Sequence, residues 1–265
     1  MKNNKKISSI RIATTGANGK MGKQITRTAI NISKIIHTSS LVRHKSSFKN
    51  YDIGKLANIF PIGVFTNDNI KDISDKFDVL IDFTSVKSSL EYLNFCYKNK
   101  KKMVIGTTGF NAMQNKLIKH MSKKIAIFYS ENFSFGANII FRLLKNISSI
   151  GNIKNIDIDI IECHHKEKSD IPSATSILIK KNILKNLKIK KNIKISSIRS
   201  GNIIGEHKII FSFLGEKIEI THQAYNRKIF ALGAIKAAIW LSNKKTGLFN
   251  MSHILNKQAK NFKSN

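Results

Sequence analysis

Two histidines and two lysines lie close together in one short polar segment of the chain. The segment ECHHKEKSDIPSAT runs from Glu162 to Thr175 and contains His164, His165, Lys166 and Lys168. A histidine exchanges a proton near neutral pH, and lysines attract anions. The Pro and Ser that follow favour the start of a helix, where backbone N–H groups can hold a carboxylate. The segment therefore predicts a site that binds an acidic ligand and transfers a proton.

A metal site and a purely structural loop are the alternatives for this segment. Adjacent His164 and His165 point to opposite faces of an extended chain, so it is geometrically awkward for both to bind one ion. No cluster of Cys or Asp completes a ligand set near them. We therefore expect no metal.

A glycine-rich segment, TGANGKMG, lies between a predicted first strand and a predicted first helix. Its glycines allow a tight turn and a close approach to pyrophosphate, whose charge the helix N-terminus stabilises. The G-x-x-G-x-x-G spacing differs from the common G-x-G-x-x-G, so a glycine turn without a ligand stays open as the alternative. We predict a dinucleotide site with these cofactor contacts: Gly16, Ala17, Asn18, Gly19, Lys20, Met21 and Gly22.

The residues after the predicted second strand indicate which dinucleotide binds. An Asp or Glu about 20 residues beyond the glycine loop commonly binds the ribose 2′-hydroxyl of NAD. Here the segment LVRHK, Leu41 to Lys45, has no carboxylate, whereas Arg43 and Lys45 can pair with a 2′-phosphate. We predict a preference for NADPH over NADH, with a solvent-facing Arg43 as the alternative.

Alternating strands and helices must position the glycine loop. Short apolar runs predict buried strands, and apolar residues at helical spacing predict the helices between them. The predicted strands are Ile7–Ala13, a strand ending at Leu41-Val42, Val79–Ile81, Met103–Ile105 and Ile125–Phe128. The predicted helices are Ser88–Asn99, with Leu90, Leu93, Cys96 and Tyr97 on its inner face, and Asn111–Met121, with Met113, Leu117 and Met121.

After about Glu131 the pattern becomes mixed. We predict helices at Gly136–Ser149 and Arg227–Leu241. The second of these has small residues that permit close packing, and Gly247 follows it as a stop signal. The predicted strands are Ile156–Ile161, Ile193–Ile198, Ile209–Leu214 and Ile218–Thr221. The fold class is α/β, a doubly wound parallel sheet of the Rossmann type with a second α+β domain. Residues 1–131 plus 227–265 are predicted to form the dinucleotide-binding domain, and residues 132–226 the second domain.

The chain is strongly basic, with 46 Lys and Arg against 16 Asp and Glu, a net charge of +30. Such a charge attracts polyanions, so a nucleic-acid-binding protein is an alternative function. Only six of the basic residues are Arg, however, and the lysine-rich segment Lys180–Ile195 lacks aromatic or Arg platforms. Lys, Ile and Asn, whose codons are rich in A and T, are overused along the whole chain. An AT-rich genome therefore explains the charge without a partner. We predict no nucleic-acid partner, and a helix end plus a loop for that segment.

Neither a membrane nor an oxidising compartment is indicated. No apolar run reaches the roughly 18 to 20 residues that a spanning helix needs. Only Cys96 and Cys163 are present, in no CxxC pair, and the N-terminus does not resemble an export signal. We predict a cytoplasmic protein without a membrane partner.

Several motifs, in order along the chain, resemble those of one enzyme family. The segment from Glu162 to Thr175 is similar to the E-x-H-H-x-x-K-x-D-x-P-S-G-T signature of bacterial dihydrodipicolinate reductases, now called 4-hydroxy-tetrahydrodipicolinate reductases. Further family motifs are matched across essentially the whole chain at Gly16–Gly22, Val79–Thr84, Met103–Phe110, Asn132–Ser134 and Arg199–His207.

The resemblance implies an oxidoreductase of diaminopimelate and lysine biosynthesis. Such an enzyme reduces 4-hydroxy-tetrahydrodipicolinate, a small cyclic dicarboxylate, to tetrahydrodipicolinate with loss of water, and uses NADPH or NADH. The resemblance also implies a homotetramer, and assigns substrate binding and tetramer formation to residues 132–226. Another two-domain dehydrogenase of amino-acid metabolism, of the aspartate or homoserine type, is the alternative, although it would lack the HHxxK segment.

The resemblance also assigns roles to residues. It implies His164 as proton donor or acceptor and Lys168 as a second catalytic acid. His165 and Lys168 are implied to contact one substrate carboxylate, and the backbone of Ser173, Ala174 and Thr175 to hold the other. The remaining implied cofactor contacts are Gly106, Thr107, Thr108, Tyr129, Ser130, Glu131, Asn132 and Phe133.

Four positions depart from the family pattern. Ala174 replaces the signature glycine, which is harmful only if that position needs a positive φ. Lys20 replaces an arginine of the glycine loop, and Ser85 an arginine after the DFT motif. Val42 stands where some members have an acid, which predicts weaker binding of NADH.

Overall fold

The computed structural model describes residues 9–147, 156–187 and 192–256, which divide into two units. The first unit takes the described residues up to Phe133 and from Phe230 onward, and the second takes those from Ser134 to Ile229. The sequence predicts these boundaries at residues 131 and 227. The chain therefore leaves the first unit once and returns to it near its end.

Strands and helices alternate along most of the first half. The strands are β1 (Ile10–Thr15), β2 (Ile35–Leu41), β3 (Thr66–Asn67), β4 (Val79–Asp82), β5 (Lys102–Ile105), β6 (Ala126–Tyr129), β7 (Asp157–His164), β8 (Lys194–Arg199), β9 (Gly205–Phe213), β10 (Glu216–Ala224) and β11 (Gly247–Phe249). The α-helices are α1 (Lys20–Ala29), α2 (Ile53–Leu56), α3 (Val86–Lys98), α4 (Ala112–Met121), α5 (Phe135–Ile147), α6 (Ala174–Leu187) and α7 (Lys228–Ser242), with a 3₁₀ turn at Ile70–Ile73.

The first unit is built on a seven-stranded sheet in the order β11-β6-β5-β4-β1-β2-β3, and each neighbouring pair is parallel. The order reverses beside β1, so that β4 and β2 flank it, as in a doubly wound sheet. All four residues of β4 are buried, as expected for a strand covered on both faces. The predicted Rossmann-type fold is confirmed.

Small residues let α7 pack tightly in the first unit. Its four alanines, Ala231, Ala234, Ala237 and Ala238, are fully buried. A Cβ atom at Gly233 would lie 2.0 Å from the carbonyl oxygen of Phe133, so only glycine allows this approach. The predicted close packing of this helix is confirmed.

The predicted inner face of α3 is confirmed, but that of α4 is wrong. Met113 and Leu117 are exposed, and the buried residue of α4 is Ile118, with Met121 only partly buried. The predicted stripe followed the largest apolar residues four positions apart, whereas the sheet contacts the helix along a line one residue further on. Packing on β5 and β6 decides this face, and the helix's own sequence does not reveal it.

Three further differences concern short elements. Between Arg43 and Val79, where no element was predicted, the structure has α2, β3 and the 3₁₀ turn. Asp52 caps α2, and its carboxylate accepts hydrogen bonds from four backbone amides. Gly247 is not a stop signal, because α7 ends at Ser242 and Gly247 begins β11. Parts of the predicted elements at Ile7–Ala13, Gly136–Ser149 and Lys180–Ile195 lie outside the described residues.

The second unit is a four-stranded sheet in the order β10-β9-β7-β8, in which β7 and β8 are parallel and the other pairs antiparallel. One face packs on α5 and α6 through a core that includes Ile140, Ile160, Ile179 and Phe211. This is the predicted α+β domain. Within the described part of the chain, we find no helix with both the length and the apolar character needed to span a membrane.

Candidate active site

The predicted cofactor residues of the first unit lie at the carboxyl ends of four parallel strands. Because these ends meet at one edge of the sheet, residues far apart in sequence come close together. Gly16 follows β1, Arg43 lies just beyond β2, Gly106 follows β5 and Ser130 follows β6. The structure therefore brings the four predicted cofactor segments to one edge.

The glycine loop between β1 and α1 has the geometry of an anion site. Gly16 has a φ of +64°, and a Cβ atom at Gly22 would lie 2.2 Å from the Gly16 carbonyl oxygen. Glycine at both positions therefore lets α1 start directly against the turn. Gly19 precedes the first helical residue, and no side chain caps α1 there. The positive dipole end of α1 thus lies at the turn, where it stabilises an anion, and this loop fits the pyrophosphate of a dinucleotide.

A buried carboxylate connects the glycine loop to the second predicted cofactor loop. The Asp82 side chain, at the end of β4, accepts hydrogen bonds from the hydroxyls of Thr15 at 2.5 Å, Thr84 at 2.6 Å and Thr107 at 3.0 Å. The Ser89 hydroxyl also donates to it. Thr15 precedes Gly16 and Thr107 follows Gly106, so Asp82 fixes both loops relative to each other.

Aromatic rings pack beneath the Gly106 loop. A Cβ atom at Gly106 would lie 2.1 Å from the Phe83 ring, so glycine is required for this contact. The Phe83 ring lies 5.3 Å from that of Phe133, which is buried. Phe133 thus supports the loop from below. Of the other predicted contacts, Thr108 and Glu131 are exposed, Tyr129 and Ser130 half-buried, and Asn132 buried.

The predicted adenosine end of the site is an open cleft of about 600 Å³ beside the end of β2. Arg43 is exposed at its rim, whereas Val42 is buried against Ala17 and Leu56. Acidic residues also line this cleft. One of them, Asp68, accepts a hydrogen bond from the backbone N–H of Lys45, forms an ion pair with Lys49 at 2.8 Å and lies 3.4 Å from Nδ1 of His44.

In the second unit, β7 places one histidine in a buried ion network. The Nδ1 atom of His164, the last residue of β7, is hydrogen-bonded to Oε2 of Glu162, whose side chain is fully buried. Glu162 Oε1 accepts hydrogen bonds from Arg199 Nη2 at 2.7 Å and from the Ser173 amide at 3.3 Å. Burial alone raises the pKa of Glu162, but the hydrogen bonds from Arg199 and His164 outweigh it and hold the pKa below its usual value.

His164 has its second ring nitrogen, Nε2, directed away from this carboxylate. Burial lowers the pKa of His164 by more than the hydrogen bond and the charge of Glu162 raise it. The ring packs edge-on against that of His207, 5.2 Å away. Burial lowers the pKa of His207 to about 3, so His207 is neutral at physiological pH.

The backbone at the start of α6 shows whether alanine at position 174 is strained. Ser173 caps the helix, because its hydroxyl oxygen accepts the Ser176 amide at 3.2 Å and also lies 3.2 Å from His207 Nε2. Ala174 is the first helical residue and is not among the residues with positive φ. Alanine is therefore tolerated there without backbone strain. The Ser173 amide, in contrast, is already bound to Glu162.

Lys168 and Asp170 form an ion pair in the loop between β7 and α6. Lys168 Nζ donates to Asp170 Oδ1 at 2.6 Å, and both side chains reach solvent. The hydrogen bond from Lys168 and the Ala174 amide lower the pKa of Asp170 despite partial burial. Asp170 thus contacts the ammonium group and the helix start that were predicted to hold substrate carboxylates.

Arg227, just before α7, contributes a cation that the sequence analysis did not assign to the site. Its Nη2 atom lies 3.3 Å from Nε2 of the half-buried His165. Four site residues were missed as such: Glu162, Asp170, Arg199 and Arg227. Glu162 and Asp170 lie inside the histidine segment, and their alternation with His164 and Lys168 was the available signal. Nothing in the local sequence joins Arg199 or Arg227 to that segment.

Two family models match the chain over nearly its whole described length. A model described as dihydrodipicolinate reductase, N-terminus, matches residues 10–133, and one described as dihydrodipicolinate reductase, C-terminus, matches residues 136–255. The chain belongs to the dihydrodipicolinate reductase family. The boundary between the two family halves falls at residues 133–136, where the first unit of the structure ends and α5 begins.

Individual relatives agree with this membership. A 4-hydroxy-tetrahydrodipicolinate reductase from Buchnera aphidicola subsp. Baizongia pistaciae (strain Bp) is 42% identical over 95% of this chain and 99% of the relative. One from Blochmanniella floridana is 40% identical over 93% and 98%. The dipicolinate-bound dihydrodipicolinate reductase from Paenisporosarcina sp. TG-14 is similar in structure, with a TM-score of 0.75 at 25% identity over 91% of this chain and 97% of that one. The family predicted from the motifs is confirmed.

Proposed function

We propose that this chain reduces 4-hydroxy-tetrahydrodipicolinate to tetrahydrodipicolinate, with loss of water, in diaminopimelate and lysine biosynthesis. The observation that carries the proposal is the placement of His164 and Lys168 beside the start of α6, in a chain whose two halves match both family models. The match over both halves supports this reaction over that of another two-domain dehydrogenase.

The chain's chemical task in this reaction is to donate a proton. Loss of water from the substrate gives a conjugated imine, and the bound reduced nicotinamide supplies a hydride to it. The substrate then carries the negative charge of an enamine-like anion, which a cationic acid stabilises and protonates. We assign this proton to His164 Nε2, because Nδ1 is engaged by Glu162. The Lys168 ammonium group is the second acid.

Cations and backbone amides of the second unit bind the two substrate carboxylates in this proposal. Lys168 and His165, the latter with Arg227 beside it, hold one carboxylate. The start of α6 at Ala174 and Thr175 holds the other, where the helix dipole favours an anion. Ser173 supports this cradle by capping the helix. Two fixed carboxylates orient the ring for the chemical step.

The nicotinamide cofactor is held by the first unit, with NADPH preferred over NADH. The uncapped start of α1 and the turn at Gly16 support pyrophosphate binding. Val42, which is buried in an apolar cluster, offers no carboxylate to a 2′-hydroxyl, and exposed Arg43 supports binding of a 2′-phosphate.

We also propose that the protein is a homotetramer and is cytoplasmic. The sheet of the second unit packs helices on one face, while half-buried Ile161 and Ile210 lie on the other face with Lys208 and Glu219. This mixed face supports assembly with further copies, as a homotetramer. Both cysteines are free thiols, which supports a cytoplasmic location. We assign residues 1–131 plus 227–265 to cofactor binding and 132–226 to substrate binding and assembly.

The test is an NADPH oxidation assay with the condensation product of pyruvate and aspartate semialdehyde. Wild type should turn over, and His164→Ala and Lys168→Ala should each lower kcat by about 10²- to 10⁴-fold, the usual contribution of a general acid. NADH should give a lower kcat/KM than NADPH. Unchanged rates in both variants would remove the catalytic assignment, and equal kcat/KM for the two cofactors would remove the preference.

A further inference from the structure

Both proposed acids are connected to one buried ion pair. Glu162 has no solvent exposure and its partner Arg199 is 12% exposed, with Nη2 and Oε1 at 2.7 Å. Glu162 lies on β7 and Arg199 at the end of the neighbouring strand β8. We propose that the Glu162–Arg199 pair positions the two acids of the reaction, Glu162 by orienting His164 and Arg199 by holding the loop of Lys168. This inference rests on the proposed function.

Glu162 decides which nitrogen of His164 can donate its proton to a ligand. Its Oε2 binds Nδ1, so the imidazole ring is fixed in one orientation with Nε2 directed away from the carboxylate. A Cβ atom at Gly205 would lie 3.0 Å from Nε2, so a larger residue there would crowd this nitrogen. The carboxylate also stabilises the positive charge of a protonated His164.

Arg199 holds the loop that carries the second acid. Its Nε atom donates to the carbonyl oxygen of Lys168 at 3.2 Å, and its Nη2 atom donates to that of Asp170 at 2.7 Å as well as to Glu162. The guanidinium group thus fixes the backbone on both sides of residue 169, whereas the Lys168 side chain stays partly solvent-accessible. A lysine at position 199 has too few donors in a fixed plane to make all these bonds.

The geometry separates the effects of the two partners. Glu162 accepts hydrogen bonds from three donors: Arg199, His164 and the Ser173 amide. A glutamine offers one acceptor oxygen and no charge, so E162Q leaves His164 without its anionic partner while keeping the side chain's shape. R199K keeps the cation beside Glu162 but releases the loop carbonyls. E162Q should therefore change the protonation of His164, and R199K should change the position of Lys168.

The direction of the pH effect follows from the groups that face His164. These are Glu162 on its own strand, Arg199 on β8, His207 on β9, and Lys168 in the loop. Glu162 alone raises the pKa of His164, and the neighbouring cations lower it. Loss of the carboxylate charge therefore lowers that pKa further. Because the acid must be protonated, the activity of E162Q falls at a lower pH than that of wild type.

The experiment compares wild type, E162Q, R199K and E216Q, a matched control at an exposed glutamate that begins β10. For E162Q we expect kcat at least tenfold lower, the falling limb of the kcat/KM pH profile moved to lower pH, and Kd values for NADPH and dipicolinate within about threefold of wild type. For R199K we expect a higher KM with an unmoved pH profile. E216Q should behave as wild type.

A second measurement does not depend on turnover. The His164 imidazole is titrated by NMR, with the spectrum of His164→Ala used for assignment, and its pKa should be lower in E162Q than in wild type. A wild-type pH profile and an unchanged His164 pKa in E162Q would overturn the inference. Loss of dipicolinate binding by E162Q in parallel with its loss of activity would also overturn the inference, since the pair would then only maintain the fold. Absence of wild-type turnover would instead reject the proposed function, while the titration still tests the pair.

Discussion

The carboxylate of Asp170 binds to groups that we assign to substrate binding, the Lys168 ammonium group and the Ala174 amide. It accepts a hydrogen bond from Lys168 Nζ at 2.6 Å, and the Ala174 amide also lowers its pKa. A substrate carboxylate must therefore displace Asp170 from Lys168 before it can bind there. Asp170→Asn removes the competing charge and leaves the side-chain size nearly unchanged, so the variant should bind a dicarboxylate more tightly than wild type.

The size of this gain follows from the exposure of the pair. The Lys168 side chain is 23% exposed and that of Asp170 is 50% exposed, so solvent screens their attraction. Exposed ion pairs are worth about 0.2 to 1 kcal/mol. If the whole free energy of this ion pair is gained by ligand binding in Asp170→Asn, the Kd for the dicarboxylate falls by about 1.4- to 5-fold, since 1.4 kcal/mol corresponds to a factor of ten.

Isothermal titration with dipicolinate, in the presence of saturating NADPH and at low salt, measures this change. Asp159→Asn, which removes the same charge from an exposed position on β7, serves as the control and should bind as wild type does. The difference between Asp170→Asn and wild type should shrink at high salt. An unchanged or weaker affinity of Asp170→Asn, with normal binding by the control, would refute the competition and make Asp170 a support of Lys168.

Two predictions concern the first unit. Arg43→Ala should raise the KM for NADPH about tenfold, because one charge-assisted hydrogen bond is lost, and should leave the KM for NADH unchanged. An equal effect on both cofactors would contradict the 2′-phosphate contact. So would an effect of the control substitution, Arg142→Ala. Asp52→Ala should lower the free energy of unfolding by about 2 kcal/mol at pH 7, because buried amides lose their acceptor. Backbone hydrogen bonds hold the pKa of Asp52 below its usual value despite burial, so its contribution is present above about pH 4. Urea unfolding should show the difference between variant and wild type shrinking as pH falls below that value, and a constant difference would contradict this.

Local patterns predicted much of the framework and of the site. The strands β4, β5 and β6 are short, apolar and buried, and the glycine loop carries its own geometric requirement at Gly16 and Gly22. Such features are encoded within a few residues, so sequence reasoning found them. The histidine segment was found for the same reason, since His164 and Lys168 lie four residues apart.

What escaped prediction depends on contacts between distant residues. Arg199 is 37 residues from Glu162, and only the pairing of β7 with β8 brings them together. The exposed face of α4 depends on the sheet beneath it, and β11 is only three residues long, too short for a periodic pattern. Asp82 lies in the Val79–Thr84 motif, but three of its four hydroxyl partners, Thr15, Ser89 and Thr107, belong to other segments.

The last strand of the first sheet has a consequence for how the protein is made. Gly247–Phe249 pairs with Ala126–Phe128, so the edge of β6 gains its neighbour only after about 120 further residues have been synthesised. Until the ribosome releases that segment, β6 presents unpaired backbone groups, the kind of edge at which nascent chains associate wrongly. A chain cut short before residue 247 would retain this open edge permanently.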